Sequence, residues 1–280
     1  MTPLTATPFF PQEIHQCGPA ALATVLVADG VTVTPEQLAE RVYLPEREGS
    51  LQVELLAATR RLGRAPYRVA PRLDSIAAEL RAGRPVLVLQ NLALPRWPRW
   101  HYAVVIGIDS RSVTLRSGRN AEQKMSLRSF ERSWRYADRW GFVVLSSGAW
   151  PGEPDPLRWL DTFAALEQTG DHAAAARGYR QGIEHWPDDS RFWFADGNVR
   201  YQQHDLPGAA MSYRRATELQ PAFNAAWNNL AQVLGEQGCG RAARTALQRA
   251  RENANANLLA AVEETELGLP PGDAAHCASP

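Results

Sequence analysis

The chain has 280 residues, of which 45% are hydrophobic and 21% charged, and its 30 basic and 30 acidic side chains cancel. That length is enough for two domains with cores of their own. The balanced charge excludes the basic excess expected of a nucleic-acid or anionic-membrane binder, and equally an acidic excess that would select a cationic partner.

Residues 1–7 carry neither a basic nor an apolar stretch of the signal-peptide kind, and no apolar run approaches the roughly twenty residues that cross a bilayer. A soluble, cytoplasmic protein with no transmembrane segment is the default expectation, periplasmic or exported if a signal preceded this sequence and was trimmed. Three cysteines, Cys17, Cys239 and Cys277, are odd in number and widely scattered. This speaks against a disulfide framework and against a metal site of close ligand spacing, so no metal or cofactor is expected.

The first predicted helix begins where Cys17-Gly18-Pro19 meets the apolar run Ala20–Val27. Proline is favoured in a first turn, because its missing N–H is one the helix leaves unpaired anyway. Cys17 therefore sits at a helix N-terminus, where unpaired amides and the macrodipole favour an anion and are expected to lower the thiol pKa below roughly 8.5. Upstream, Gln12 lies in an extended, proline-bounded approach and is a candidate oxyanion donor, with Gln16 in competition. His15 reads as a solvated loop residue.

Thr34-Pro35 signals a second helix over residues 35–42, and Ser50 is expected to cap a third over Val53–Leu62. A strand-rich lobe follows. It contains a short strand at Tyr67–Ala70, a helix at Asp74–Arg81, and the continuous apolar run Pro85–Asn91 of the buried-strand kind. A proline-broken loop, Asn91–Trp100, carries two tryptophans directly before the next strand, His101–Ile108, and is expected to form either a wall of a cleft or a flap packed on the sheet. Strands at Ser112–Arg116 and Trp140–Ser146 enclose a helix at Leu127–Trp134. A histidine opening a buried strand is rigidly held with its ring accessible, so His101 is the best candidate base for Cys17.

Gln12 with Cys17-Gly18-Pro19-Ala20, and then His101-Tyr102-Ala103-Val104-Val105-Ile106-Gly107, resembles the double-glycine (bacteriocin-processing) peptidases, a branch of the papain-like cysteine proteases, over about residues 7–148. The resemblance implies an α+β papain-like domain, a helical lobe plus an antiparallel sheet, with Cys17 as nucleophile, His101 as base and Gln12 as oxyanion donor. It also implies cleavage after small residues such as a glycine pair, and an acidic residue on the strand after His101 to orient the ring. This chain departs there: Ser117 is the nearest match, Asn120 has an amide oxygen that can accept from the imidazole, and Asp109 lies in the turn. With that acid missing, a domain that binds peptide without turnover is the alternative to a peptidase, and hydrolysis is not separated from other thiol acyl transfers.

Residues 149–156, rich in Pro and Gly, read as a linker. Beyond it Trp159, Trp193 and Trp227 recur every 34 residues, as do Pro187 and Pro221, Ala175, Ala209 and Ala243, and Tyr179, Tyr213 and Leu247. These positions resemble the tetratricopeptide repeat, which implies an all-α superhelix that engages a protein partner or substrate. Asp196 replaces a usual leucine and Asn255 the closing proline. The expected domains are therefore a papain-like cysteine peptidase domain over 1–148, a linker over 149–156, repeats with a terminal helix over 157–268, and a disordered tail over 269–280. Arg200, Arg214, Arg215, Arg241 and Arg244 are candidates to line a concave groove for an acidic segment, though a solvated face is the commoner fate of such residues.

Overall fold

A computed structural model of the chain describes residues 2–11, 16–47, 49–252, 254–274 and 277. The chain divides into two compact units, Met1–Thr162 and Phe163–Pro280.

In the first unit, helix α1 (Cys17–Ala28) is buried at every residue from Gly18 to Leu26. A helix that is apolar all round can be satisfied only by being surrounded. Beside it lie α2 (Pro35–Val42) and α3 (Gln52–Arg61). Thr34 caps α2 and Pro35 opens it, with the Thr34 hydroxyl accepting from the Gln37 N–H; the structure adds the reciprocal bond, in which the Gln37 side chain accepts from the Thr34 N–H. Ser50 does not cap α3, whose N-cap is Leu51. Its hydroxyl instead fills the space over Gly18, where an added Cβ would lie 2.5 Å from Ser50 Oγ.

The sheet contains β1 (Ala65–Arg68), β2 (Val86–Asn91), β3 (Trp100–Ile108), β4 (Ser112–Ser117), β5 (Asn120–Ser126) and β6 (Gly141–Leu145), in the order β1-β6-β2-β3-β4-β5 with every pair antiparallel. The central strands β2 and β3 are buried along nearly their whole length. Leu22 and Leu26 of α1, Leu38 of α2 and Leu55 of α3 meet Val104, Ile106 and Phe142 in one core, each contributing about 1.5–3 kcal/mol on burial. Two further helices, α4 (Leu73–Arg81) and α5 (Leu127–Arg135), also pack against the sheet. Strand β5 has no counterpart in the sequence reading, because an exposed edge strand of polar residues has no apolar period to detect.

The N-terminal segment is strapped across this sheet. Leu4 N–H donates to the Ile106 carbonyl at 2.8 Å, and the buried Arg116 guanidinium donates to the carbonyls of Thr5 and Thr7. Residues 149–156, expected as a linker, are likewise bonded to the first unit. Buried Glu79 pairs with Arg84 at 2.7 Å and accepts the Gly152 N–H at 2.9 Å. The Tyr67 hydroxyl donates to the Glu153 carbonyl and accepts from the Asp155 N–H. The boundary between the units falls further on, inside α6 (Pro156–Gln168). A Pro/Gly-rich segment has no periodicity of its own, and the side chains that fasten it stand more than seventy residues away.

The second unit continues with α7 (His172–His185), α8 (Ser190–Gln202), α9 (Leu206–Leu219), α10 (Asn224–Glu236), α11 (Gly240–Arg251) and α12 (Ala256–Leu267). Positions one repeat apart do the same work: Trp193 Nε1 donates to the Pro187 carbonyl and Trp227 Nε1 to the Pro221 carbonyl, each at 2.9 Å. Aspartates 171, 189 and 205 cap α7, α8 and α9. Glycines make room for rings: a Cβ on Gly182 would lie 2.4 Å from Phe192, and one on Gly197 2.6 Å from Tyr213. Asp196, the departure from the repeat pattern, is buried and pairs with Arg200 and the Ser212 hydroxyl, each at 2.6 Å.

Two expectations fail at the C-terminus. Cys239 and Cys277 form a disulfide across 38 residues, although an odd, scattered set of cysteines argued against a disulfide framework. In the stretch expected to be a disordered tail, the described residues 269–274 and 277 are tied back by that bond, by Ala274 N–H to the Gly238 carbonyl, and by Asp273 accepting from Arg241. The packing of the tail onto the α10–α11 turn brings the two sulfurs together, and linear spacing does not report such packing.

Candidate active site

Cys17 is the first residue of α1 and is half-buried, with Gly18 behind it fully packed. Its sulfur meets the backbone N–H of Tyr102, the residue that follows His101 on β3, together with the amides of Gly18 and Cys17 itself. The Tyr102 hydroxyl reaches over to the Ser50 carbonyl at 3.1 Å. That bond holds the start of β3 against the residues that lead into α3.

His101 Nε2 lies 2.8 Å from Ser117 Oγ, which leaves Nδ1 outside that bond. Ser117 is buried at the end of β4. Of the three candidates for the orienting position, Ser117 alone is bonded to the ring. Asn120 pairs with Ser117 in the β4–β5 register, on an exposed position. Asp109 stays in its turn, accepting from the N–H groups of Arg111 and Ser112 and from the Ser112 hydroxyl, which holds its carboxyl below the usual range. Gln12 and His15 lie outside the described residues, and Gln16 is exposed at the N-cap of α1.

The electrostatics correct one expectation. Burial pushes the Cys17 thiol up, against the three amides that pull it down. Burial, with the Arg99 guanidinium nearby, pushes His101 down to about 4. Desolvation disfavours both charged forms, against the thiolate that the helix terminus alone would favour. Sequence showed the helix end but not how closely the two lobes would enclose it, and the Tyr102 amide had no sequence signal because every residue has one.

In the repeats, a concave recess of about 200 Å³ is lined by Glu167, Asn198, Tyr201, Gln202 and Asn229 among others. Four of the five arginines considered for an acidic ligand have partners within the chain: Arg200 with Asp196 and Asp205, Arg215 with Glu218, Arg241 with Asp273, and Arg244 with the carbonyls of Pro270 and Pro271. Among the described residues, no cluster of His, Cys, Asp and Glu is suited to hold a metal ion, and no helix is long and apolar enough to cross a membrane.

The helical lobe on an antiparallel sheet, with a cysteine at the helix mouth and a histidine opening the adjoining strand, defines an α+β domain of the kind found in C39 peptidases. Residues 4–141 match the Peptidase_C39 like family and residues 197–238 a TPR repeat, so the chain joins a C39-peptidase-like domain to tetratricopeptide repeats. Among solved structures, the chain is similar to a C39-like peptidase from Bacillus anthracis, with 19% identity, 51% of this chain and 96% of that one covered, and a TM-score of 0.43. It is also similar to a double glycine motif protease from an AMS/PCAT transporter in complex with the leader peptide, with 22% identity, 49% and 89% covered, and a TM-score of 0.38. The repeats are similar to the TPR2B domain of yeast Sti1 in its pHsp70 complex, with 18% identity, 40% and 94% covered, and a TM-score of 0.39. No curated protein matches the chain.

Proposed function

We propose that this protein is a cysteine peptidase that cuts a peptide or protein substrate after small residues, with the repeats recruiting the substrate or a partner. The observation that carries the reading is the Tyr102 amide at the Cys17 sulfur, one residue along β3 from His101, whose Nε2 is bonded to Ser117. His101, neutral at rest, takes the thiol proton as the sulfur attacks the scissile carbonyl. A C–S bond forms, and the oxyanion is met by the Cys17 N–H and, in the role the family resemblance gives it, by Gln12. The imidazolium then returns its proton to the leaving amine as the C–N bond breaks. Water, deprotonated by the same imidazole, hydrolyses the thioester and frees Cys17. Cleavage after a glycine pair rests on the resemblance of the Cys17 and His101 motifs alone.

The test is to incubate the full chain and its Cys17→Ala variant with peptides containing a Gly-Gly pair and to read products by mass spectrometry. Cleavage by the parent and none by the variant supports the reading. No cleavage, or equal cleavage by both, overturns it.

A second reading, a scaffold that holds peptide without turning it over, is favoured by one observation: the ring's partner is an uncharged serine. Ser117→Asp separates the two. A gain of several orders of magnitude from near zero points to a degenerate site, and little change to a dyad that already suffices.

A further inference from the structure

The loop of residues 92–99 joins β2 to β3 and delivers the chain to His101. It is ordered by buried Asn91, whose Oδ1 accepts from the N–H groups of Ala93 at 3.0 Å and Arg99 at 2.9 Å. Leu92 N–H donates to the Arg99 carbonyl and Trp97 N–H to the Leu94 carbonyl. A loop held this firmly nevertheless leaves its largest apolar side chains in solvent, with Leu94 60%, Trp97 65% and Trp100 53% exposed. Three large apolar side chains exposed within seven residues of one ordered loop form the kind of patch that marks an interaction surface. The Arg96 guanidinium lies 5.2 Å from the Trp97 ring centroid, and Arg99 is exposed between Pro98 and Trp100. Residues 92–100 contain two arginines and no acid.

We propose that this loop is the specificity element of the enzyme, a cationic aromatic shelf that docks a substrate segment in which apolar side chains alternate with carboxylates. The inference rests on the peptidase reading and adds the class of substrate. Leu94, Trp97 and Trp100 receive the apolar side chains, while Arg96 and Arg99 pair with the acids. An anionic bilayer surface offers similar chemistry, but two arginines supply only about 2 kcal/mol toward such a surface, and the chain has no net charge to add. Position favours the peptide. The shelf runs directly into the residue proposed as base, and the charge of Arg99 is already felt at the His101 ring. A carboxylate docked on Arg99 offsets that charge and raises the proton affinity of the imidazole, so the correct substrate improves its own general base.

Binding is measured on the full chain carrying Cys17→Ser, by fluorescence anisotropy, so the readout survives even if Cys17 proves not to be a nucleophile. The probes are short fluorescein-labelled peptides that alternate Leu with Glu, Gln or Lys and end in Gly-Gly. The Glu peptide is expected to bind roughly tenfold tighter than the Gln peptide, an advantage that shrinks with added salt. The Arg96→Gln/Arg99→Gln variant erases that preference, and Trp97→Ser weakens Glu and Gln peptides alike. Equal affinity for Glu and Gln, no binding of any peptide, or a preference that persists without the arginines overturns the proposal. So does Trp97-dependent binding to phosphatidylserine vesicles without discrimination among the peptides.

Discussion

At the scale of single residues, the pair Cys17 and His101 is set by desolvation. With His101 near 4, the imidazole is neutral and able to accept a proton over the whole physiological range. The acid limb of kcat/KM is therefore expected at about pH 4, with activity lost only as pH falls through it. Ser117→Asp places an anion on the ring, favours the imidazolium and moves that limb to higher pH; an unchanged limb would show that Ser117 does not act on His101. The same shift bears on stability. A histidine at about 4 when folded and about 6.5 when unfolded contributes stability that is fully present above pH 6.5 and is lost as pH falls from there toward 4. His101→Gln should flatten that segment of the pH–stability curve in urea titrations. Gly18→Ala is expected to destabilise the first unit by about 1–3 kcal/mol, because its Cβ would fall on Ser50 Oγ, and to lower the urea midpoint accordingly.

At the scale of elements, packing at the repeat glycines makes a local prediction. Gly182→Ala would set a Cβ 2.4 Å from the Phe192 ring, so the gain in helix propensity is outweighed by overpacking of about 1–3 kcal/mol. Thermal unfolding followed by far-UV circular dichroism should show the helical transition fall. The elements readable from sequence were those whose signal is periodic or chemical: the apolar run of α1, the Thr34-Pro35 helix start, the continuous hydrophobics of β2 and β3, and the 34-residue step. Polar β5 was not, since an edge strand is made by its neighbour's backbone. Ser50 was misread as a cap because its environment is set by Gly18, thirty-two residues earlier. Cys17 and His101 were nameable as candidates from their motifs and Ser117 as one of three for the orienting position, but their electrostatics depend on burial that no motif reports.

At the scale of the whole molecule, the disulfide adds a test of how the chain ends. Closing 38 residues between Cys239 and Cys277 stabilises by up to roughly 4 kcal/mol in the chain-entropy model. Reductant or Cys277→Ser should lower the thermal midpoint of the parent chain, and a midpoint indifferent to both would show that the tail is not bonded. Because that pair is oxidised, Cys17 is the free thiol among the three cysteines, which makes the central claim directly measurable. The measurement is the rate at which a peptidyl chloromethyl ketone ending in Gly-Gly alkylates the full chain, followed by intact mass, in the parent and in His101→Gln. The account predicts single modification at Cys17, faster than that of a free cysteine, and a fall of about 10²- to 10⁴-fold when the imidazole is removed. Modification no faster than that of a free thiol, or a rate indifferent to His101, would contradict it.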